Sequence, residues 1–278
     1  MRIRLDISYD GTHFRGWARQ PGLRTVQGTL EDALARVVGG DPRLVVAGRT
    51  DAGVHASGQV AHVDLDDAQQ ERLAARRGGA SAVEALAARL TGVTGAYSDV
   101  AVLRTSPAPA GFDARFSAVW RRYSYRVADR AAGYDPLERL RTTSVRSALD
   151  EMAMDAAARS LVGLHDFAAY CKPRDEATTI RTLLEFDWHR DDDGVLIANV
   201  KADAFCHSMV RALVGACVAV GEERLDVQDV AAIRDALDRV PEVKVLAARG
   251  LTLTEVGYPA DDLLAERAQR TRARRDAE

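Results

Sequence analysis

The apolar residues of this chain follow two different spacings, and the spacing changes several times along the sequence. The first segment places apolar side chains at every second position: Ile3, Leu5, Ile7 and Tyr9. This alternation predicts a half-buried strand. Thr25 then precedes apolar residues at helical spacing, so a core-facing helix capped by Thr25 is predicted over residues 26–38. Strands and helices must therefore share a core.

The same two patterns continue to residue 256. Further strands are predicted over 43–47, 59–65, 100–103, 120–127, 183–189, 195–200 and 251–256. Further helices are predicted over 68–92, with a break at Gly78-Gly79, and over 147–161, 209–220 and 227–237. The elements are mixed rather than regularly alternating, which predicts an α+β fold of two lobes with largely antiparallel sheets. Glycine motifs of nucleotide-binding folds are absent.

The segment 105–111 contains Pro107 and Pro109 and is the best domain boundary on composition. We therefore expect an N-terminal lobe over 1–105, a second lobe over 112–259 and a polar tail over 260–278. The tail carries five arginines, but its acids leave the last 18 residues neutral. A solvated helix end is the favoured interpretation, and a weak RNA-contacting tail is the alternative.

Composition narrows the class of protein. With 278 residues, of which 47% are hydrophobic and 28% charged, the chain is an ordinary globular sequence. The longest uncharged apolar run, 212–220, is nine residues, about half of the ~18–20 that cross a bilayer. The N-terminus lacks the continuous apolar stretch of a signal peptide. We therefore expect a cytoplasmic protein with no membrane partner.

Charge and cysteine content add two further expectations. A formal net charge of −3 gives no general attraction to nucleic acid, so any such role must rest on a local patch. The three cysteines, Cys171, Cys206 and Cys217, are odd in number and have no C-x-x-C spacing. This pattern predicts ordinary thiols rather than a disulfide framework or a zinc cluster.

The stretch AGRTDAGVHASGQVAHVD, residues 47–64, is the most informative part of the sequence. It places Arg49 and Asp51 on a glycine-bounded loop between two predicted strands. Loops held between rigid strands often carry catalytic groups. Taken alone, the residues also allow a local turn in which Asp51 caps and Arg49 pairs with it.

A metal site made of Asp51, His55 and His62 is a third interpretation of the same stretch. The spacing from Asp51 to His55 fits one face of a helix. Gly48 and Gly53 disfavour a helix here, so the sequence does not favour metal binding.

The string GRTDAGVH, residues 48–55, resembles the signature of the tRNA pseudouridine synthase A family. Other blocks agree with the family's pattern in order and spacing over roughly residues 3–259. They are residues 9–11, 16–17, 20 and 25–27, then 112–117, 121–125, 205–211 and Gly215. The chain departs from the pattern at Ala18, at Ala177 and within 66–99. None of these departures falls on the catalytic residues that the resemblance implies.

This resemblance implies isomerisation of uridine to pseudouridine in the anticodon stem-loop of tRNA, at positions 38, 39 and 40. The reaction needs no cofactor, nucleotide or metal. It implies that Asp51 is the catalytic carboxylate, which attacks C1′, attacks C6 of the uracil, or removes the C2′ proton. The sequence leaves these three routes open.

The resemblance assigns roles to further residues. Tyr123 would stack on the uracil and help remove the C5 proton, although a strand tyrosine packing beside Tyr125 is the simpler alternative. Arg211 falls in the first turn of an apolar helix, where the dipole disfavours a cation by up to about 1 kcal/mol. Such an arginine requires a carboxylate partner, and the resemblance implies that Asp51 is that partner.

Arg49 would replace the extruded nucleotide or steady its phosphate. Arg181, with Arg121, Arg122 and Lys172, could contact the RNA backbone, although each could equally be a solvated surface charge.

The family's fold implies two lobes resembling RRM or ferredoxin-type halves with an active cleft between them. It also implies a homodimer in which one tRNA touches both subunits. An RNA-binding module without activity is the competing function, and a metal-dependent hydrolase is a more distant one. The trio of Asp51, Tyr123 and Arg211 favours the enzyme, because a binding module needs only a basic surface.

Overall fold

The computed structural model describes residues 1–75, 82–173 and 178–276. The chain divides into two compact units, one formed by Met1–Val119 with Thr254–Glu278 and the other by Trp120–Leu253. Both contain helices and a mainly antiparallel sheet, which confirms the predicted α+β class. The proline-containing segment 105–111 overlaps a strand and lies within the first unit. The lobe limits drawn from composition stay a prediction.

The sheet of the first unit is centred on the N-terminal strand. Its strands are β1 (Arg2–Tyr9), β2 (Leu44–Val46), β3 (His55–Asp64) and β4 (Val100–Pro107). β1 pairs antiparallel with both β3 and β4, and β2 pairs antiparallel with β3. The predicted alternation in β1 is confirmed, since Ile3, Leu5 and Ile7 are fully buried.

Three helices follow these strands in the first unit. α1 (Val26–Val38) begins where predicted, because the Thr25 hydroxyl accepts the Gly28 N–H at 3.2 Å. α2 (Asp67–Ala74) begins with a capping box formed by Asp66 and Gln69, and α3 spans Leu86–Thr94. The break predicted at Gly78-Gly79 and the departure at Ala177 lie outside the described residues.

The second unit contains a four-stranded antiparallel sheet in the order β5, β9, β8, β7. Its strands are β5 (Trp120–Ala128), β6 (Thr143–Ser144), β7 (Gly163–Asp166), β8 (Ile180–Arg190) and β9 (Leu196–Ala202). β6 adds to β5 in parallel. β10 (Leu251–Gly257) crosses the division between the units at Thr254.

Helices α4 (Glu151–Ser160), α5 (Met209–Gly221) and α6 (Val227–Ala236) belong to the second unit. Every residue of α5 except Arg211 is buried. Gly215 allows this packing, because a Cβ there would lie 1.8 Å from the Lys244 carbonyl oxygen. No helix in the described ranges is long and apolar enough to cross a membrane.

The C-terminal segment forms α7 (Leu264–Asp276), which packs on the first unit. Leu264 and Ala268 are buried, and Arg272 pairs with Asp113 at 2.6 Å. Two apolar side chains four residues apart give this polar helix a face that packs against the unit. The segment is therefore a docked helix through residue 272 rather than a solvated end.

The prediction of three ordinary thiols is wrong for two of them. Cys171 and Cys206 form a disulfide with their Cα atoms 5.7 Å apart. They lie 35 positions apart in the sequence, so only the folded chain brings them together. Cys217 is a free, buried thiol, and burial raises its pKa to about 12.

Candidate active site

Residues 47–54 connect β2 to β3 and form what we call the Asp51 loop. Thr50 is buried, Asp51 is half-buried and Arg49 is exposed. The loop thus directs the arginine toward solvent while the aspartate stays partly shielded from it. An exposed arginine can bind an anionic group, and a carboxylate that is partly withdrawn from water can act as a nucleophile or a base.

The segment after β1 supports the Asp51 loop by close backbone contact. A Cβ on Gly11 would lie 2.0 Å from the Val54 carbonyl oxygen. Gly16 has φ +90°, and a Cβ there would lie 3.0 Å from the Thr50 carbonyl oxygen. Only glycine permits both this conformation and this approach. The glycines at 11 and 16 therefore shape the loop that carries Asp51.

Two backbone hydrogen bonds complete this support. The Trp17 N–H donates to the Thr50 carbonyl at 3.0 Å, and the Gly53 N–H donates to the Phe14 carbonyl at 3.3 Å. An open depression of about 360 Å³ lies between the two segments, lined by Thr12, His13, Phe14, Arg15, Ala52 and Gly53. The depression is thus bordered by Ala52 and Gly53, the two residues that follow Asp51 in the loop.

His55 is the first residue of β3 rather than part of the loop. Its Nδ1 accepts the Gly11 N–H at 3.0 Å. The same nitrogen lies 3.1 Å from the Asp10 Oδ1 atom. His55 thus joins the start of β3 to the Asp10-Gly11 segment.

His62 has a similar structural role. Its Nδ1 accepts the Ala114 N–H at 3.0 Å, and burial lowers the pKa of the ring from 6.5 to about 4. Among the described residues, no group of three or more His, Cys, Asp or Glu side chains is placed to hold a metal ion. Both histidines are explained by the backbone that they bind.

The buried His62 predicts a pH dependence of stability. Its pKa is lower in the folded state, so the neutral ring contributes stability that is complete above pH 6.5 and is lost as the pH falls toward about 4. Each pKa unit of difference corresponds to about 1.4 kcal/mol. In His62→Gln the amide oxygen can accept the Ala114 N–H. The free energy of unfolding, measured in urea, should therefore depend less on pH between 6.5 and 4 than it does in the parent.

The matched control is His189→Gln, since the His189 side chain is 51% exposed. It should retain the loss of stability between pH 6.5 and 4, because His62 is intact in this variant. A His62→Gln protein with the parent's slope between pH 4 and 6.5 would contradict the assignment.

Tyr123 lies on β5 opposite Val200 of β9 and is 8% exposed. Its ring meets Phe205 edge-on at 5.2 Å between centroids. Tyr125 shares its face of the sheet and is fully buried, with its hydroxyl donating to the Ala247 carbonyl at 2.7 Å. Burial raises the pKa of Tyr125 to about 12. Tyr125 is thus tied into the core, while Tyr123 retains some exposed surface.

Arg211 is the third residue of α5, as predicted. It is half-buried, and its Nε atom is buried without a hydrogen-bond partner in the described part of the chain. Its positive charge lies close enough to Tyr125 to lower the pKa of that phenol against the larger effect of burial. A cation at the positive end of a buried helix is unfavourable unless an anion lies nearby. The second unit thus presents Arg211 where an anionic partner would stabilise it.

Arg181 lies on β8, and its side chain binds the backbone of the residues just before it. Its guanidinium donates to the Ile180 carbonyl at 2.5 Å and to the Thr178 carbonyl at 2.6 Å. These bonds order the start of β8. An RNA contact by Arg181 stays a prediction.

Other arginines considered as RNA contacts also have protein partners. Arg121 donates to the Asp203 carbonyl at 2.8 Å, and Arg122 pairs with Glu185 at 3.0 Å. Arg121 and Arg122 are therefore at least partly structural. Lys172 is exposed, and its contact with RNA stays a prediction.

Comparisons with known proteins decide the family. A family model described as tRNA pseudouridine synthase matches residues 157–259. A tRNA pseudouridine synthase A from Leifsonia xyli subsp. xyli is 60% identical, covering 99% of this chain and 97% of that protein. The proteins of the same name from Frankia casuarinae and Streptomyces griseus are 56% and 53% identical, covering 98% of this chain and 95% and 93% of their own lengths. The chain belongs to the tRNA pseudouridine synthase A family.

Membership in the tRNA pseudouridine synthase A family shows the reaction: the chain is an isomerase that converts uridine to pseudouridine in tRNA. The relatives thereby confirm the resemblance inferred from the sequence. The catalytic role of Asp51 stays a prediction.

Gln59 is a further candidate residue that no sequence pattern singled out. It lies in β3 and is fully buried. A buried amide must find hydrogen-bond partners within the protein. The only indication in the sequence is a polar side chain next to Val60 within a predicted strand.

Proposed function

We propose that this chain isomerises uridine to pseudouridine at positions 38, 39 and 40 of the tRNA anticodon stem-loop, with Asp51 as its single catalytic carboxylate and no cofactor. The observation that carries the proposal is the half-buried Asp51 on a loop held by backbone bonds from Phe14 and Trp17. A fixed carboxylate loses little freedom when the substrate binds, which favours reaction.

The isomerisation leaves the composition of the uridine unchanged. The N1–C1′ bond breaks, the uracil turns, and C5 bonds to C1′. The C5 proton is lost to water, and N1 takes up a proton from water in its place. The Asp51 carboxylate attacks C1′, attacks C6, or removes the C2′ proton. Each route requires an anionic oxygen at the reacting nucleotide, which must leave the base stack to reach it.

Three further side chains take part in the proposal. Tyr123, a phenol with a small exposed surface, stacks on the uracil and assists removal of the C5 proton. Arg211 provides the cation that pairs with Asp51, which accounts for an arginine at the N-terminal turn of an apolar helix. Arg49, exposed beside Asp51, fills the space of the extruded nucleotide or binds its phosphate, and Arg181 contacts the RNA backbone.

The assembly is proposed to be a cytoplasmic homodimer. Support comes from an exposed apolar patch on the second unit, Leu164 on β7 and Ile180 on β8, which are 66% and 53% exposed. The register places both on the same face, since Leu164 pairs with Thr182. Neighbouring exposed apolar side chains on one face of a sheet are surface that a second subunit could cover. Sedimentation equilibrium of the parent and of Leu164→Asp tests this, and a parent that stays monomeric at assay concentration contradicts it.

The function is tested with tRNA transcripts that contain uridine tritiated at C5. The purified chain should release tritium into water from a transcript with uridine at positions 38, 39 and 40. Transcripts with cytidine at these three positions should release none. Tight binding without release would establish the RNA-binding module instead, and release from the cytidine transcript would place the target elsewhere.

A further inference from the structure

Two strands of the first unit reach the Asp51 loop through side chains that the proposed reaction does not use. Tyr9 ends β1, and Gln59 lies in β3. The register between the two strands shifts between Ile7 and Tyr9, next to Gln59. Such shifts re-aim side chains, and they are common beside active sites. The shift places the Tyr9 phenol and the Gln59 amide next to the Asp51 loop.

Gln59 has a fixed orientation. Its Nε2 donates to the Gly48 carbonyl at 2.9 Å and to the Tyr9 hydroxyl at 3.2 Å, while its Oε1 accepts the Val60 N–H at 3.2 Å. A carbonyl only accepts, so the nitrogen of the amide must face Gly48. Both of its hydrogens are thereby used, and the amide cannot turn over without losing these bonds.

The Tyr9 hydroxyl joins Gln59 to the Asp51 loop. Its oxygen accepts from Gln59, and the Tyr9 and Thr50 hydroxyls share a hydrogen bond of 2.7 Å in which either oxygen can donate. Burial raises the pKa of Tyr9 to about 12, so the phenol remains a donor at physiological pH. Hydrogen bonds therefore run from Gln59 to Gly48 and from Gln59 through Tyr9 to Thr50.

These hydrogen bonds hold the two residues of the loop that flank Arg49. Gly48 is held through its carbonyl and Thr50 through its hydroxyl, and Asp51 follows Thr50 directly. Tyr9 and Thr50 are 4% and 6% exposed, so water does not replace a lost bond easily. Arg49 is left as the exposed residue between two fixed neighbours.

We propose that Tyr9 and Gln59 are positioning residues for the reaction, because their hydrogen bonds to Gly48 and Thr50 set where the Asp51 carboxylate and the Arg49 side chain stand. The inference rests on the proposed function, in which Asp51 is the catalytic carboxylate. A misplacement of about 1 Å at a reacting group can cost about 100-fold in rate. Removal of one of these hydrogen bonds should therefore lower the rate of the chemical step more than the affinity for tRNA.

The test measures single-turnover tritium release and tRNA dissociation constants for Tyr9→Phe, Thr50→Val and the double variant. Each single variant should lose about 10- to 100-fold in rate, with tRNA affinity within about three-fold of the parent because affinity comes mainly from backbone contacts elsewhere. The double variant should be no slower than the slower single variant, since both remove the same bond. Thr50→Ser, which keeps the hydroxyl, should recover most of the rate.

Tyr170→Phe is the matched control. Tyr170 is fully buried and donates a single hydrogen bond to the Val230 carbonyl at 2.7 Å, in the second unit. Its variant should lose stability in urea unfolding as Tyr9→Phe does, but it should keep the parent rate. If Tyr9→Phe fails to fold, Thr50→Val and Thr50→Ser decide the question.

Three results would each overturn the inference. In the first, Tyr9→Phe and Thr50→Val react at the parent rate. In the second, the losses of the single variants multiply in the double variant, and in the third, the rate falls only as the affinity for tRNA falls. Asp51→Asn in the same assay separates this from a failure of the proposed function. An inactive Asp51→Asn beside a fully active Tyr9→Phe removes only the positioning role. An active Asp51→Asn removes the proposed function itself.

Discussion

Asp51→Asn is expected to abolish pseudouridine formation, with the tRNA dissociation constant within about three-fold of the parent because affinity is spread over many phosphate contacts. The carboxylate is half-buried, and asparagine has nearly the same shape, so the loop bonds from Phe14 and Trp17 should persist. What the variant lacks is the anionic oxygen that attacks C1′ or C6 or removes the C2′ proton. Nucleoside analysis of digested tRNA measures the product, and filter binding measures the affinity.

Asp64→Asn is the matched control for this substitution. Asp64 pairs with Arg2 at 2.7 Å in the same unit and is 61% exposed. An exposed pair of this kind contributes about 0–1 kcal/mol to stability. The control should therefore form pseudouridine at the parent rate. An inactive Asp64→Asn would show that loss of activity at Asp51 reports general damage to the unit.

Arg211→Met should lower the single-turnover rate by about 100- to 1,000-fold, the usual cost of removing one preorganised charge from a reacting site. Methionine fits the apolar surroundings of α5, so the helix should remain folded. The lost group is the cation proposed to pair with Asp51. Rates measured with enzyme in excess over tRNA separate this effect from weaker binding.

Arg211→Lys keeps the charge but loses the planar fork, so its rate should lie between those of the parent and Arg211→Met. Arg159→Met is the control, because Arg159 pairs with Asp155 on the surface of α4 and is 66% exposed. It should keep the parent rate. Equal rates for Arg211→Met and the parent would remove Arg211 from the mechanism.

Much of the fold follows from short-range patterns in the sequence. The alternation ending at Tyr9 predicts β1, and Thr25 predicts the start of α1, because both depend on neighbours within a few residues. The apolar run after Met209 predicts α5 for the same reason. Periodicity and capping are local properties, so they can be read without knowledge of the tertiary structure.

Features that depend on distant residues could not be predicted in this way. The Cys171–Cys206 disulfide needs two segments 35 positions apart to meet. The packing of α7 needs a surface formed by residues such as Ser117, whose hydroxyl donates to the Leu264 carbonyl at 3.1 Å. Neither contact leaves a periodic signal along the chain.

The candidate site shows the same division. The sequence predicts Asp51 because its neighbours form a recognisable string, and Arg211 because a cation in an apolar helix is unusual. The contribution of Gln59 was hidden, since its partners Tyr9 and Gly48 are joined to it only by the pairing of β1 with β3. A buried polar side chain can be suspected from sequence, but its partners cannot be named.

The central claim, that the Asp51 carboxylate carries out the isomerisation, is tested most directly by tritium release under single-turnover conditions. Parent and Asp51→Asn proteins, each in excess, are incubated with the same tRNA transcript tritiated at C5 of uridine. The parent should release the tritium of its target uridines to completion, and Asp51→Asn should release no more than a mock preparation. Release by pure Asp51→Asn above that background, however slow its approach to completion, would contradict the claim.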